Sequence, residues 1–259
     1  MKNYKEENTS INKDFVIENT TLVEYKGIGK DVIIPDGIKN IKQDAFWGCR
    51  SLINIKIPNS VTSIENAAFC HCGSLTSVTM GNNIQNIGQS AFHNCTSLTN
   101  IKLPKSLTNI SIGTFCNCAL LANIEIPDNV TRIGGFAFAY CHHLTNVTIP
   151  SSAKSIDTAA FAYCDSLTNI TIPSSVEIIG EDAFLGCSSL RSIIIPNSVK
   201  SIISKAFGDC HNLTIYCEAK NKPDGWDNDW NYTNCPVVWG YKGGKINERS
   251  SKFNVICKK

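Results

Sequence analysis

A 23-residue period runs through most of this chain. Cys49, Cys72, Cys95, Cys118, Cys141, Cys164, Cys187 and Cys210 are evenly spaced by it, and a phenylalanine stands three residues before each, from Phe46 to Phe207. A fixed period of this length marks a stacked repeat architecture, because one unit cannot bury its own apolar side and a core forms only when neighbours stack. Such a molecule offers a long, even surface rather than a deep pocket. The period therefore constrains function as well as fold.

Within the unit, proline recurs at Pro35, Pro58, Pro104, Pro127, Pro150, Pro173 and Pro196, with Gly81 in its place once. Apolar residues follow at fixed offsets, as in Val61, Ile64, Ala68, Phe69, Leu75 and Val78. The Ile170-x-Ile172 alternation predicts a strand with one buried face. Pro173 has no N–H and a fixed φ, so it ends that strand. Val176-x-x-Ile179 suits a second short extended or turn segment. Ala183-Phe184-x-x-Cys187-x-x-Leu190 has a spacing nearer three and predicts a short helical or 3₁₀ piece. Stacked strands lie about 4.8 Å apart, so eight units span on the order of 40 Å. Each fully buried Phe contributes roughly 1.5–3 kcal/mol of transfer free energy.

The motif I-P-x-S-V-x-x-I-x-x-x-A-F-x-x-C-x-S-L-T-x-I, carried over residues 33–217, resembles the BspA-like leucine-rich repeat family. The resemblance implies an α/β-type repeat solenoid, right-handed, with a parallel β-sheet face and short helical or 3₁₀ turns. It also implies a protein partner, since BspA-like proteins are commonly surface-associated and some mediate adhesion to host or matrix proteins. The start, Met1-Lys-Asn-Tyr, shows no apolar signal region, which by sequence alone points to the cytoplasm. An intracellular interaction scaffold therefore stands beside the surface-associated adhesin reading.

The chain divides into a polar, flexible N-terminus (1–14), a capping hairpin (15–34), eight repeats (35–217), an aromatic C-terminal cap (218–241) and a basic tail (242–259). Trp226, Trp230 and Trp239 fall in the fourth of these segments. Two readings are open for them: a cover over the last repeat, or an aromatic site that stacks on a glycan.

Net charge is +2, too close to zero for nucleic acid to be a bulk partner. Apolar stretches fall far short of the roughly 20 residues needed to span a bilayer, so no membrane insertion is expected. Thirteen cysteines raise the question of disulfides or metal. Eight are explained by the repeat, the total is odd, and Cys70-His71-Cys72 and Cys141-His142-His143 have no second half at zinc-ligand spacing. The expectation is a buried, reduced thiol ladder with no metal and no cofactor.

No nucleophile elbow, phosphate-binding loop, zinc-protease or dinucleotide fingerprint is present, so no catalytic residue is assigned. Cys141 beside His142 could suggest a nucleophile and base, but a ladder cysteine points inward and its neighbour outward. Binding is the remaining question. The outward strand positions include Asn100, Asn123, Asn146 and Asn169 in one row, and Thr148 and Thr171 in another. This face is rich in amides and hydroxyls. It suits hydrogen bonding to a polypeptide or sugar, or plain solvation. The turn beside the cysteine varies more, and Tyr140 and Tyr163 lie one period apart with His142 and His143 close by. Variable loop positions on a rigid repeat usually carry specificity. This patch is the first candidate for a contact site, with covering the core edge as its structural alternative.

Overall fold

The computed structural model describes residues 13–243, so most of the polar N-terminus and the basic tail, with Cys257, lie outside the described residues. The chain coils around a single apolar core and lays down two stacks of short parallel strands. The first face begins with Asp31–Ile33, Asn54–Ile57, Ser77–Met80, Asn100–Ile101, Asn123–Glu125, Asn146–Thr148 and Asn169–Thr171, joined as one seven-stranded sheet. Ser192–Ile195, Thr214–Cys217 and Val237–Trp239 form a further three-stranded sheet. Register is one full period through the seven-stranded sheet, as in Asn123↔Asn146 and Asn146↔Asn169, and one residue shorter in the C-terminal sheet, as in Ser192↔Thr214.

The second face is built from two-residue strands such as Ser63–Ile64 and Arg132–Ile133. It falls into two five-stranded runs, one ending at Asn86–Ile87 and one starting at Asn109–Ile110. At that break the Ser111 hydroxyl donates to the Ile87 carbonyl (2.6 Å), and the Ser106 hydroxyl donates to the Ile84 carbonyl.

The expected helical turns are absent among the described residues, so the α/β assignment is corrected to an all-β solenoid. The Ala-Phe-x-x-Cys segment instead forms a run of tight turns. Two backbone positions per repeat explain this. Asp44, Ala67, Ser90, Gly113, Phe136, Ala159, Asp182 and Lys205 all have positive φ, and so do Gly48, His71, Asn94, Asn117, Tyr140, Tyr163, Gly186 and Asp209. Two left-handed residues four apart cannot belong to one right-handed helix. Each costs roughly 1–2 kcal/mol for a residue with a Cβ. The cost is offset because the N–H of the same residue reaches the next coil: Ala67 to Gln89 O (2.8 Å), Phe136 to Thr158 O (2.8 Å), Tyr140 to Ala162 O (2.8 Å). With Phe69 donating to Ala91 O (2.8 Å), these bonds form a third ladder along the edge between the two sheets.

Inside, the phenylalanines from Phe46 to Phe207 are all fully buried and stack ring on ring, with centroids 4.8 to 5.6 Å apart. Tyr25 continues the column in front of Phe46 (5.0 Å), and Trp230 meets Phe207 edge-on at the back (6.0 Å). Such contacts are each worth about 0.5–1.5 kcal/mol beyond their area. The column therefore ties all the coils into one core.

The ladder cysteines have a specific reason to be cysteine. The Cys72 thiol donates to the Phe46 carbonyl (3.0 Å), Cys141 to Phe115 O (3.2 Å) and Cys210 to Phe184 O (3.1 Å). Each thiol thus adds a second donor to a carbonyl of the preceding coil that already accepts the N–H of its own repeat's cysteine, as Phe46 O does from Cys49 (3.1 Å). Burial raises the pKa of the Cys141 thiol and pushes those of Cys210 and Cys217 up to about 12, while that of Cys72 is raised first by its hydrogen bond with Cys49 and then by burial. Cys49 opens the row, is only half-buried, and takes a hydrogen bond from Cys72 that lowers its pKa.

Candidate functional site

The variable turn edge and the polar sheet face are the two surfaces singled out by the sequence. Tyr140 and Tyr163 both occupy the second left-handed position of their repeats, which aims their rings along the edge rather than into the core. The rings stack with centroids 4.9 Å apart and 11° between planes. Tyr163 continues over Gly186, where a Cβ would fall 2.7 Å from its ring; glycine there admits both the positive φ of 70° and the tyrosine. Beneath this edge Cys116, Ala139, Ala159 and Ala162 form a small buried cluster, with Tyr163 and Leu185 packed against it.

His142 meets Tyr140 edge-on (6.1 Å) and pairs through Nδ1 with Asp165 Oδ2 (2.7 Å). His143 is exposed and turns its Nδ1 to the Ala119 carbonyl (3.0 Å). The structure thus joins Tyr140, Tyr163 and His142 in one patch, while His143 is engaged with the preceding coil. Cys141 is buried and bonded to Phe115 O, so it and His142 diverge and form no nucleophile–base pair.

Sequence reasoning missed three neighbours. Phe136, Ile112 and Leu120 are exposed in the same repeats, at 46%, 44% and 43%. Phe136 sits in a column otherwise filled by Asp, Ala, Ser, Gly and Lys, and that departure from the repeat was the signal available. Repeats four to six therefore carry exposed apolar side chains on both sides of the turn segment. Towards the front the same edge is mixed: Asn117 donates to Asn94, Asn94 reaches His71 Nδ1 (3.1 Å), and His71 meets the exposed Trp47 edge-on (5.6 Å).

On the sheet face, Asn100, Asn123, Asn146 and Asn169 are exposed and in register, as are Thr148 and Thr171. The Asn146 and Asn169 amides donate to the hydroxyls of their own neighbours, Thr145 and Thr168 (both 3.3 Å). Those hydroxyls cap the carbonyls of the preceding coil, Ala122 and Thr145. Part of the row thus serves the strand ends.

The tryptophans turn inward. Trp226 and Trp230 are 2% and 5% exposed, Trp226 donates its indole N–H to Val199 O (3.1 Å), and Trp239 packs against both. The rings of Trp226 and Trp230 are thus taken up by the core, while Trp239 is half-buried. Among the described residues, no group of three or more His, Cys, Asp or Glu could hold a metal ion, and no helix is long and apolar enough to cross a membrane.

A closed stack of coils with parallel strands and no convergent polar pocket at its conspicuous surface patch defines a repeat solenoid. The chain belongs to the BspA-type leucine-rich repeat family: the model for the BspA type leucine rich repeat region (six copies) matches residues 22–143 and 110–222. Solved structures agree. A leucine-rich repeat protein of T. pallidum is 30% identical with a TM-score of 0.64, over 69% of this chain and 89% of that one. One from Bacteroides ovatus is 27% identical with a TM-score of 0.66, over 88% of this chain and 71% of that one. A leucine rich cell surface protein of Faecalibacterium prausnitzii, 22% identical with a TM-score of 0.55 over 89% and 93%, shares the fold. No curated protein matches the chain. Leucine-rich repeat solenoids of this kind usually mediate protein interactions and are typically not enzymes.

Proposed function

We propose that the chain is a non-enzymatic protein-interaction module whose partner seats on the turn edge of repeats four to six, centred on Tyr140 and Tyr163. The observation that carries this is the stack of exposed Tyr140 on half-buried Tyr163, in repeats where Phe136, Ile112 and Leu120 are also exposed. Aromatic anchors on a rigid base lose little entropy on binding and dominate interface energetics. A protein partner fits this apolar surface better than a glycan. The finer, adhesin-like and surface-associated role rests on the family resemblance, with an intracellular scaffold as its alternative; digestion of intact native cells by added protease separates the two.

The test of the surface is positional. A photo-crosslinking residue placed at Phe136, next to the stack, is expected to capture a partner from native extract, and Tyr140→Ala/Tyr163→Ala should abolish that capture. Tyr140→Ala is expected to change folding stability by no more than about 0.5 kcal/mol, as a surface truncation does. Capture only from crosslinkers at Asn123 or Asn146 would move the interface to the sheet face.

A further inference from the structure

Among the described residues the seven-stranded sheet ends at Asp31–Ile33, which pairs on one side only, with Asn54–Ile57. The front hairpin does not cover it, because Thr21–Tyr25 pairs with Asn40–Ile41 on the other face. Hydrogen bonding fixes which groups point outward. The Lys30 carbonyl accepts from the Asn54 N–H (2.9 Å) and the Ile34 N–H donates to Lys56 O (3.0 Å). By alternation, the N–H and C=O of Asp31 and Ile33 face the open edge. Exposed strand edges are templates for a further strand.

The chemistry beside that edge is distinctive. A cleft of about 850 Å³ opens along it, with Phe15, Tyr25, Val32 and Ile34 among its apolar walls. Its charged residues are Asp14, Asp31 and Asp36 against Lys56 alone. Ile33, on the edge, is 65% exposed, and Ile28, in the loop leading to it, is 86% exposed; no large apolar side chain among the described residues is more exposed than these two.

We propose that this edge is a docking site for an extended, basic segment of a partner polypeptide, added to the sheet as one further strand. Its backbone would pair with Asp31 and Ile33, its Lys or Arg side chains would face the three aspartates, and an apolar side chain would enter the cleft. Strand addition takes affinity from main-chain bonds and specificity from alternate side chains. The excess of acid over base selects a basic segment. The site lies apart from the Tyr140–Tyr163 edge and does not depend on it.

The probe is a short, labelled peptide of alternating Lys and Val, titrated against the full chain by fluorescence anisotropy. Binding is expected to weaken about tenfold when alternate peptide amides are N-methylated, and about as much in Ile33→Pro, which removes one outward donor. Asp31→Asn with Asp36→Asn should weaken it further and flatten its salt dependence. Ile33→Lys, a substitution compatible with an edge strand, should also block binding while the far-UV circular dichroism stays native. Four results would overturn the proposal: no binding, equal binding of a Glu–Val peptide, indifference to N-methylation and Ile33→Pro, or sedimentation equilibrium showing that a second copy already occupies the edge and leaves it on Ile33→Lys substitution. Tyr140→Ala/Tyr163→Ala serves as the control and should leave this binding unchanged.

Discussion

At its C-terminal end the solenoid extends both sheets, whereas at its N-terminal end only one is covered. Beyond the eighth repeat, Val237–Trp239 pairs with Thr214–Cys217 on the first face, and Trp226 bridges to Ile202 on the second. Trp230 takes the place of the next phenylalanine, and Cys235 donates its thiol to the Cys210 carbonyl (3.3 Å). We read residues 218–241 as a ninth coil whose sequence has lost the repeat while its backbone keeps the path. In front, the hairpin of Phe15–Glu18 and Thr21–Tyr25 covers the second face and leaves Asp31–Ile33 bare. A coil can be closed by bulk aromatics at one end and by a side-on hairpin at the other. Among the described residues each end keeps one strand with a single neighbour, Val237–Trp239 behind and Asp31–Ile33 in front, but only the front one lies beside an acidic cleft.

The largest expected effect comes from deleting residues 219–259. That uncovers Phe207, Ile202 and Ile215 together, and the product should aggregate or lose its cooperative unfolding transition, because end repeats need a cover. Deleting residues 1–26 uncovers the second face and, with the loss of Tyr25, the ring of Phe46, but leaves the first face as it is, and that protein should stay soluble with a lowered midpoint. Equal behaviour of the two truncations, read by solubility and urea unfolding, would erase the distinction between the ends.

Single residues sharpen it. Trp230→Ala should cost about 3–5 kcal/mol, the range for a buried large aromatic. Trp47, at the front and 58% exposed, should tolerate alanine within about 0.5 kcal/mol. Chemical denaturation of the two variants checks the pair; a large loss at Trp47 would mean that the front is packed as tightly as the back.

The smallest effect is one of pH. Cys210 and Cys217 have pKa values raised by burial to about 12, against about 8.5 in an unfolded chain. In this window the unfolded state has lost protons that the folded state keeps, so stability falls as pH rises. Their contribution is fully present below about pH 8.5 and is lost progressively towards pH 12. The urea midpoint should therefore fall between pH 8 and pH 10. Cys210→Ala should make that fall shallower, while Cys49→Ala at the half-buried front should not. A midpoint flat across this range would show that the ladder thiols are not held protonated by the fold.

The sequence determined the repeat path and the inward phase. Phe, Cys, Leu and the strand isoleucines recur at one period, and the buried residues are those columns. A strict period repeats one environment, so a single unit is legible eight times over. The outward rows of asparagine and threonine followed from the same phase. The conformation of the turns did not. Ala67, Phe136 and Lys205 carry no local preference for positive φ, and their spacing from the cysteine reads as helical. What holds them left-handed is the N–H bond each makes to the next coil, a contact more than twenty residues away. The tertiary structure likewise decided that Trp226 and Trp230 face inward and that Asp31–Ile33 lacks a neighbour. Those outcomes depend on which coil ends beside which, and a linear pattern contains no information on what lies past its last repeat.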